Sequence, residues 1–255
     1  MDTYWADRAA LEWQLEAGVT EAMLDAPLNR YDVPDTVAKP SVAAPGGPPP
    51  APVVVTVDGV TEARKAAQNA GDLAMLQTAV RGFAHCDLKR GARNLVFAEG
   101  DAAARVMIIG EAPDRDADRA GIPFAGDGRA LLDKMLAAIN LGVAHDSIEH
   151  RAYLTAAFPW SAGHASPTAD DIALLRPFLE RHITLADPDI VILMGNTPCQ
   201  MLLGKAGVSR MRGQWVQVLG RPAMPMLHPA QLLQTPLAKR DAWADLLAVQ
   251  ARLRG

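Results

Sequence analysis

The stretch that decides the fold runs Arg105-Val106-Met107-Ile108-Ile109-Gly110-Glu111-Ala112-Pro113-Asp114-Arg115-Asp116-Ala117-Asp118-Arg119-Ala120-Gly121-Ile122-Pro123-Phe124-Ala125-Gly126-Asp127-Gly128. Arg105–Ile109 reads as a short buried strand. The loop behind it carries four glycines and two prolines, so it is shaped rather than floppy. A helix follows over Gly128–Ile139, with Leu131, Leu132, Met135 and Leu136 on one side. The loop is neither a Walker loop nor a GxGxxG fingerprint, which disfavours a nucleotide-phosphate site.

Outward from this unit the pattern repeats. Further strands are read at Ala152–Ala156, Ile190–Met194, Trp215–Leu219 and Met224–Met226. Helices are read from Thr61 to about Phe83, over Pro167–Ile183 with Ser166 as N-cap and Pro167 at the first position, over Pro198–Leu203 and over Leu237–Leu253. Strands separated by helices imply a parallel sheet covered on both faces, and such sheets bind ligands at the carboxyl ends of their strands. That rule gathers three loops, 110–128, 157–166 and 227–233.

The chain has 255 residues, nearly half of them apolar, enough for one sizeable core plus an appendage. Residues 1–32 read as an acidic segment with an amphipathic helix, a docking element for a partner. Residues 33–60 read as a Pro/Ala-rich flexible linker, with seven prolines between positions 33 and 56. Residues 61–255 form the body. The net charge of −4 divides unevenly: residues 1–60 carry −6, leaving 22 basic and 20 acidic side chains and a net of +2 in the body. A near-neutral body permits nucleic-acid binding through a local patch without arguing for it. No apolar run reaches a membrane span, the N-terminus lacks the build of a secretory signal, and Cys86 and Cys199 cannot form a disulfide framework. A cytoplasmic protein without membrane contact is the expectation.

Three constellations carry chemistry. Glu111, just off a buried strand, is placed to orient or activate a water, and Phe124 to stack on a planar ligand. A solvated acidic turn before an ordinary helix fits the same residues. In Met226-Leu227-His228-Pro229-Ala230-Gln231-Leu232-Leu233, His228 can donate to developing negative charge. Leu232 or Leu233 can wedge into a base stack. A helix-start histidine with core leucines is the plainer reading. Pro159-Trp160-Ser161-Ala162-Gly163-His164-Ala165-Ser166-Pro167 is a polar loop with one histidine.

The run GEAPDRDADRAGIPFAGDGRALLDKML resembles the signature of the family-four uracil-DNA glycosylases. The likeness continues in order through YLTAAFPW, Pro167–Ile183, PDIVILMG and HPAQLL, covering roughly residues 70–250. It implies a three-layer α/β/α fold with a central, mainly parallel four-stranded sheet. It also implies a monomeric hydrolase that flips uracil, or another deaminated base, out of DNA and cuts its N-glycosidic bond. The resemblance makes Glu111 and His228 catalytic. Gly110, Ala112, Phe124 and Ala156 line the uracil pocket, and Leu232 or Leu233 fills the gap left by the flipped base. Arg129, with Arg115, Arg119, Arg210 and Arg212, is a candidate for contacts with DNA phosphates.

The sequence also departs from that family. Cys86 matches the first of four 4Fe–4S ligands, but the other three positions hold Lys89, Trp160 and Leu175, so no cluster and no metal is expected. The glycine after GEAP is Asp114. The asparagine that reads the uracil edge is Ala156, which opens the alternative of a weakened or inactive DNA-binding scaffold. His164 lies where a DNA-trapping branch of the superfamily places a reactive histidine, a covalent alternative that the loop's lack of basic residues opposes.

Overall fold

The computed structural model describes residues 58–161, 163 and 167–254. The N-terminal segment 1–32, the linker up to residue 57, His164 and Ser166 lie outside the described residues.

The single helix expected from Thr61 to Phe83 is two: α1 (Gly59–Asn69) and α2 (Leu73–Gly82). The break has a local cause. Asp72 sits in an extended conformation and its carboxylate accepts the Met75 N–H at 2.7 Å, so it starts a new helix instead of continuing the old one. Asp58 caps α1 in the same way through the Val60 N–H.

After the short α3 (Leu88–Gly91) comes a six-stranded sheet among the described residues: β1 (Ala98–Glu99), β2 (Val106–Gly110), β3 (Ala152–Ala156), β4 (Ile190–Met194), β5 (Val216–Val218) and β6 (Arg221–Met226), in the order β1-β3-β2-β4-β6-β5. The middle four, β3-β2-β4-β6, are parallel and form the expected core; β1 and β5 are added at the edges, antiparallel. β1 is two residues long and leaves no periodic signal. β5 and β6 form a hairpin through Leu219-Gly220, both at positive φ (49° and 79°), which carries β6 back to Arg221, ahead of the expected Met224.

Every residue of β2, β3 and β4 is buried. Alternate side chains serve opposite faces: Met107 and Ile109 join a core with Leu76, Phe158, Leu175 and Phe178, whereas Val106 and Ile108 join one with Leu132, Leu136, Leu246 and Val249. The first face is covered by α1, α2, α6 (Ala169–Ala186) and α7 (Asn196–Leu203). The second is covered by α5 (Gly126–Ala138) and α10 (Lys239–Arg254). The remaining short helices are α4 (Arg115–Ala120), α8 (Val208–Met211) and α9 (Pro229–Gln234).

One cap differs from expectation. α6 is capped by Thr168, in a reciprocal box with Asp171, and Pro167 precedes the helix. Thr168 and Asp171 satisfy each other's backbone N–H, an arrangement that Ser166 and Pro167 cannot make. No described helix is long and apolar enough to cross a membrane.

Candidate active site

The parallel register brings the carboxyl ends of β2, β3, β4 and β6 to one rim. Gly110 lies beside Ala156 across the β2–β3 ladder, and the Ala157 N–H donates to the Gly110 carbonyl at 2.9 Å. The Gly195 N–H, just past β4, donates to the Met226 carbonyl at the end of β6 at 3.0 Å. Gly110, Glu111, Ala112, Pro113, Phe124, Ala156 and His228 line one narrow pocket at this rim. Two of the three loops picked out by the strand-end rule therefore converge on this pocket, and Gly163 of the third lines the adjoining cavity with Glu111, Asp114 and Asn196.

Phe124 holds a left-handed backbone conformation (φ 55°), a strained choice for an aromatic residue and one typical of sites. Its ring lies against Gly110 so closely that a Cβ there would sit 2.5 Å from the ring, so only glycine fits at 110. The opposite ring is His228, stacked at 5.3 Å between centroids and 11° between planes.

His228 is the N-cap of α9, with Pro229 at the first helical position. Its Nδ1 accepts the Ala230 N–H at 3.3 Å. A neutral ring that accepts at Nδ1 carries its proton on Nε2. Burial pushes the imidazole down to about 4, against the opposing pull of the Asp114 charge, so the ring is neutral at pH 7. Asp114 itself caps α4, accepting the Ala117 N–H at 2.8 Å. The residue that departs from the glycine of the GEAPG signature thus has a structural task.

Glu111 is not a free carboxylate. Its Oε1 accepts the Asn196 N–H at 2.5 Å, its Oε2 accepts the Thr197 N–H at 3.2 Å, and the Thr197 hydroxyl donates to Oε2 as well. It caps α7 from another strand, where the helix dipole favours negative charge. Gly195 (φ 110°) makes room for it, since a Cβ there would overlap the carboxylate. Residues 195–197 were absent from the sequence-level site. Their sequence signal is their place at the carboxyl end of the strand Ile190–Met194, directly ahead of the Pro198 at which the expected helix begins.

Other expected contacts separate. Leu232 is a core residue (1 % exposed), so it cannot be the wedge; Leu233, beside it, is 41 % exposed. Arg129 is held bidentately by Glu99 and also by Asp133, at 2.9 and 2.8 Å, which makes it a bridge between α5 and β1. Arg212 is likewise held by Asp245 at 2.9 Å.

The family signature of the uracil DNA glycosylase superfamily matches residues 97–247, which contain this entire rim. The chain belongs to that superfamily. It is similar to the type-4 uracil-DNA glycosylases of Thermotoga maritima (26 % identical over 152 residues, 58 % of this chain and 77 % of that one) and Archaeoglobus fulgidus (27 % over 169, 63 % and 82 %). It is also similar to that of Saccharolobus solfataricus (27 % over 191, 71 % and 87 %).

The four positions at which the family-four resemblance would place cluster thiolates do not fit a 4Fe–4S group in this superfamily member. Cys86, Trp160 and Leu175 are buried in one continuous apolar core, and the Lys89 amine donates to the Arg81 carbonyl at 2.5 Å. One thiol among an indole, an aliphatic chain and an ammonium offers a single ligand where four are needed. Burial also raises the Cys86 thiol above its ordinary range.

Proposed function

We propose that this chain is a DNA glycosylase that removes uracil, or another deaminated base, by hydrolysing its bond to deoxyribose. The observation that carries this reading is His228. It is a neutral imidazole with its proton confined to Nε2, stacked on an aromatic ring in a pocket floored by Gly110 and Ala156.

The chemistry follows from those groups. As the C1′–N1 bond breaks, its electron pair stays with the base and the charge spreads to O2, while the sugar becomes an oxocarbenium ion that water traps at C1′. A preorganised Nε2–H aimed at O2 stabilises the leaving anion; one such donor contributes about 3–4 kcal/mol in comparable sites. A neutral donor has a further advantage, since it need not be kept charged in a buried pocket. Glu111, clamped on α7, supplies a fixed negative charge beside the developing cation and an acceptor for the incoming water. Phe124 is the stacking platform, and Leu233 is the side chain that fills the vacated base stack. No cofactor enters the scheme, in keeping with the single thiol at Cys86.

Ala156 sets the specificity. It offers no side-chain amide to read the base edge, so discrimination against cytosine is weaker than an asparagine would give. The test is incubation with single- and double-stranded DNA bearing uracil, hypoxanthine or xanthine, followed by alkali. Strand breaks at the lesion are expected; intact strands with every deaminated base would end this reading in favour of a binding scaffold.

A further inference from the structure

The turn that clamps Glu111 continues into a basic loop. Asn196 donates its backbone N–H to Glu111 Oε1, and its side-chain carbonyl accepts the N–H groups of Gly207 and Val208 at 3.1 and 2.8 Å. One residue is thus bonded both to the pocket wall and to loop 204–210, the turn that follows α7 and runs into the short α8. Gly204 and Gly207 hold left-handed conformations (φ 69° and 98°), and a Cβ at either would meet nothing within 4 Å, whereas Val208 is buried and anchors the segment to the core. Lys205, Ser209 and Arg210 are exposed, and the loop contains no carboxylate.

The cations of the body differ in kind. Arg105, Arg129, Arg151, Arg212 and Arg221 are all tied to carboxylates. Among the described residues, the Lys205 and Arg210 side chains have no salt bridge and no hydrogen bond. A paired cation must give up its partner to take a phosphate; a free one only releases counterions. The pocket rim is itself acidic, through Glu111 and Asp114, and repels a phosphate chain. The cations that offset it must lie beside the rim, and loop 204–210 is joined to the rim by Asn196.

We propose that loop 204–210 grips the sugar–phosphate backbone of bound DNA, with Lys205 and Arg210 each neutralising a phosphate and Asn196 setting that grip relative to the base pocket. The proposal rests on the reading that DNA is the substrate. A backbone, rather than an acidic protein, is the occupant because Asn196 ties the loop to the turn that holds Glu111 of the base pocket, and a strand that places a base there carries its phosphates along the same rim.

The test needs no catalysis. Binding of the full chain to a uracil-free duplex is followed by fluorescence anisotropy from about 50 to about 300 mM salt, where each phosphate contact contributes about 0.9 to the slope of log K against log salt. Substituting Lys205→Ala with Arg210→Ala is expected to flatten the slope by about 2 and to leave thermal stability unchanged, as neither side chain has a partner among the described residues. Lys65→Ala, on α1 and paired with Glu62, is expected to leave the slope alone. The milder pair Lys205→Gln and Arg210→Gln should reproduce the flattening if the alanine pair folds poorly. An unchanged slope in both pairs, or a wild-type chain that does not bind duplex, overturns the proposal. Wild-type excision measured in parallel keeps the two readings apart: the predicted slope without excision removes only the enzyme, and excision with an unchanged slope removes only the grip.

Discussion

Two histidines of this chain are built almost alike, and only one stands at the active site. His182, on α6, is stacked on Phe97 at 4.4 Å and 11°; His228 is stacked on Phe124 at 5.3 Å and 11°. Burial pushes both imidazoles down to about 4. The difference lies in their nitrogens. His182 Nε2 is hydrogen-bonded to the Tyr153 hydroxyl at 2.9 Å within the apolar core, and burial raises that hydroxyl to about 12. His228 spends Nδ1 on a backbone N–H and keeps Nε2 for the pocket. Stacking and desolvation make a neutral histidine; an uncommitted N–H beside a cavity makes one that can do chemistry.

The largest effect that would sharpen this contrast is kinetic. His228→Ala should slow single-turnover uracil excision about 100- to 1000-fold with little change in melting temperature. His182→Leu should leave the rate of the folded enzyme unchanged. Equal rate losses in the two variants would break the comparison.

The next is a pH dependence of stability. Both rings have folded values near 4 against an ordinary value of 6.5, so between these limits the unfolded chain binds protons that the native chain does not. Stability is full above about pH 6.5 and is lost as pH falls towards 4, by about 3 kcal/mol from His182. Urea melts at pH 7 and pH 4.5 check this, and His182→Leu should remove that share of the loss. Smaller again, Tyr153→Phe leaves the His182 nitrogen unpaired in the core and should cost about 1–3 kcal/mol in urea melts, with excision intact.

Much of the fold and half of this contrast were legible in the sequence, and the limits were physical. The parallel core could be read because β2 and β4 are uninterrupted apolar runs and β3 is broken only by Thr155, and Phe124 and His228 because Pro123 and Pro229 adjoin them. The role of Glu111 could not be read in full. Its carboxylate is fixed by donors 85 and 86 positions away, and no local pattern announces such a pairing. His182 gave no sign at all, being one polar residue within an amphipathic helix. Leu232 and Leu233 look equivalent as neighbours, yet a helix turns one into the core and the other to solvent.

An effect of similar size concerns the pocket floor. Ala156→Asn places an amide beside Gly110 and should raise preference for uracil over cytosine by about 1–3 kcal/mol, read as a ratio of excision rates. No change in that ratio would show that the strand end at 156 does not face the base.

The central claim is that a neutral His228 donates to the departing base. It is tested most directly by the single-turnover rate of uracil excision as pH is lowered from about 8 to about 5. The rate should pass through the ordinary histidine range without a step near pH 6.5 that depends on His228, because the ring is already neutral with its proton on Nε2. A rise on acidification through pH 6.5 that vanishes in His228→Ala would make the imidazolium the active form and contradict the account.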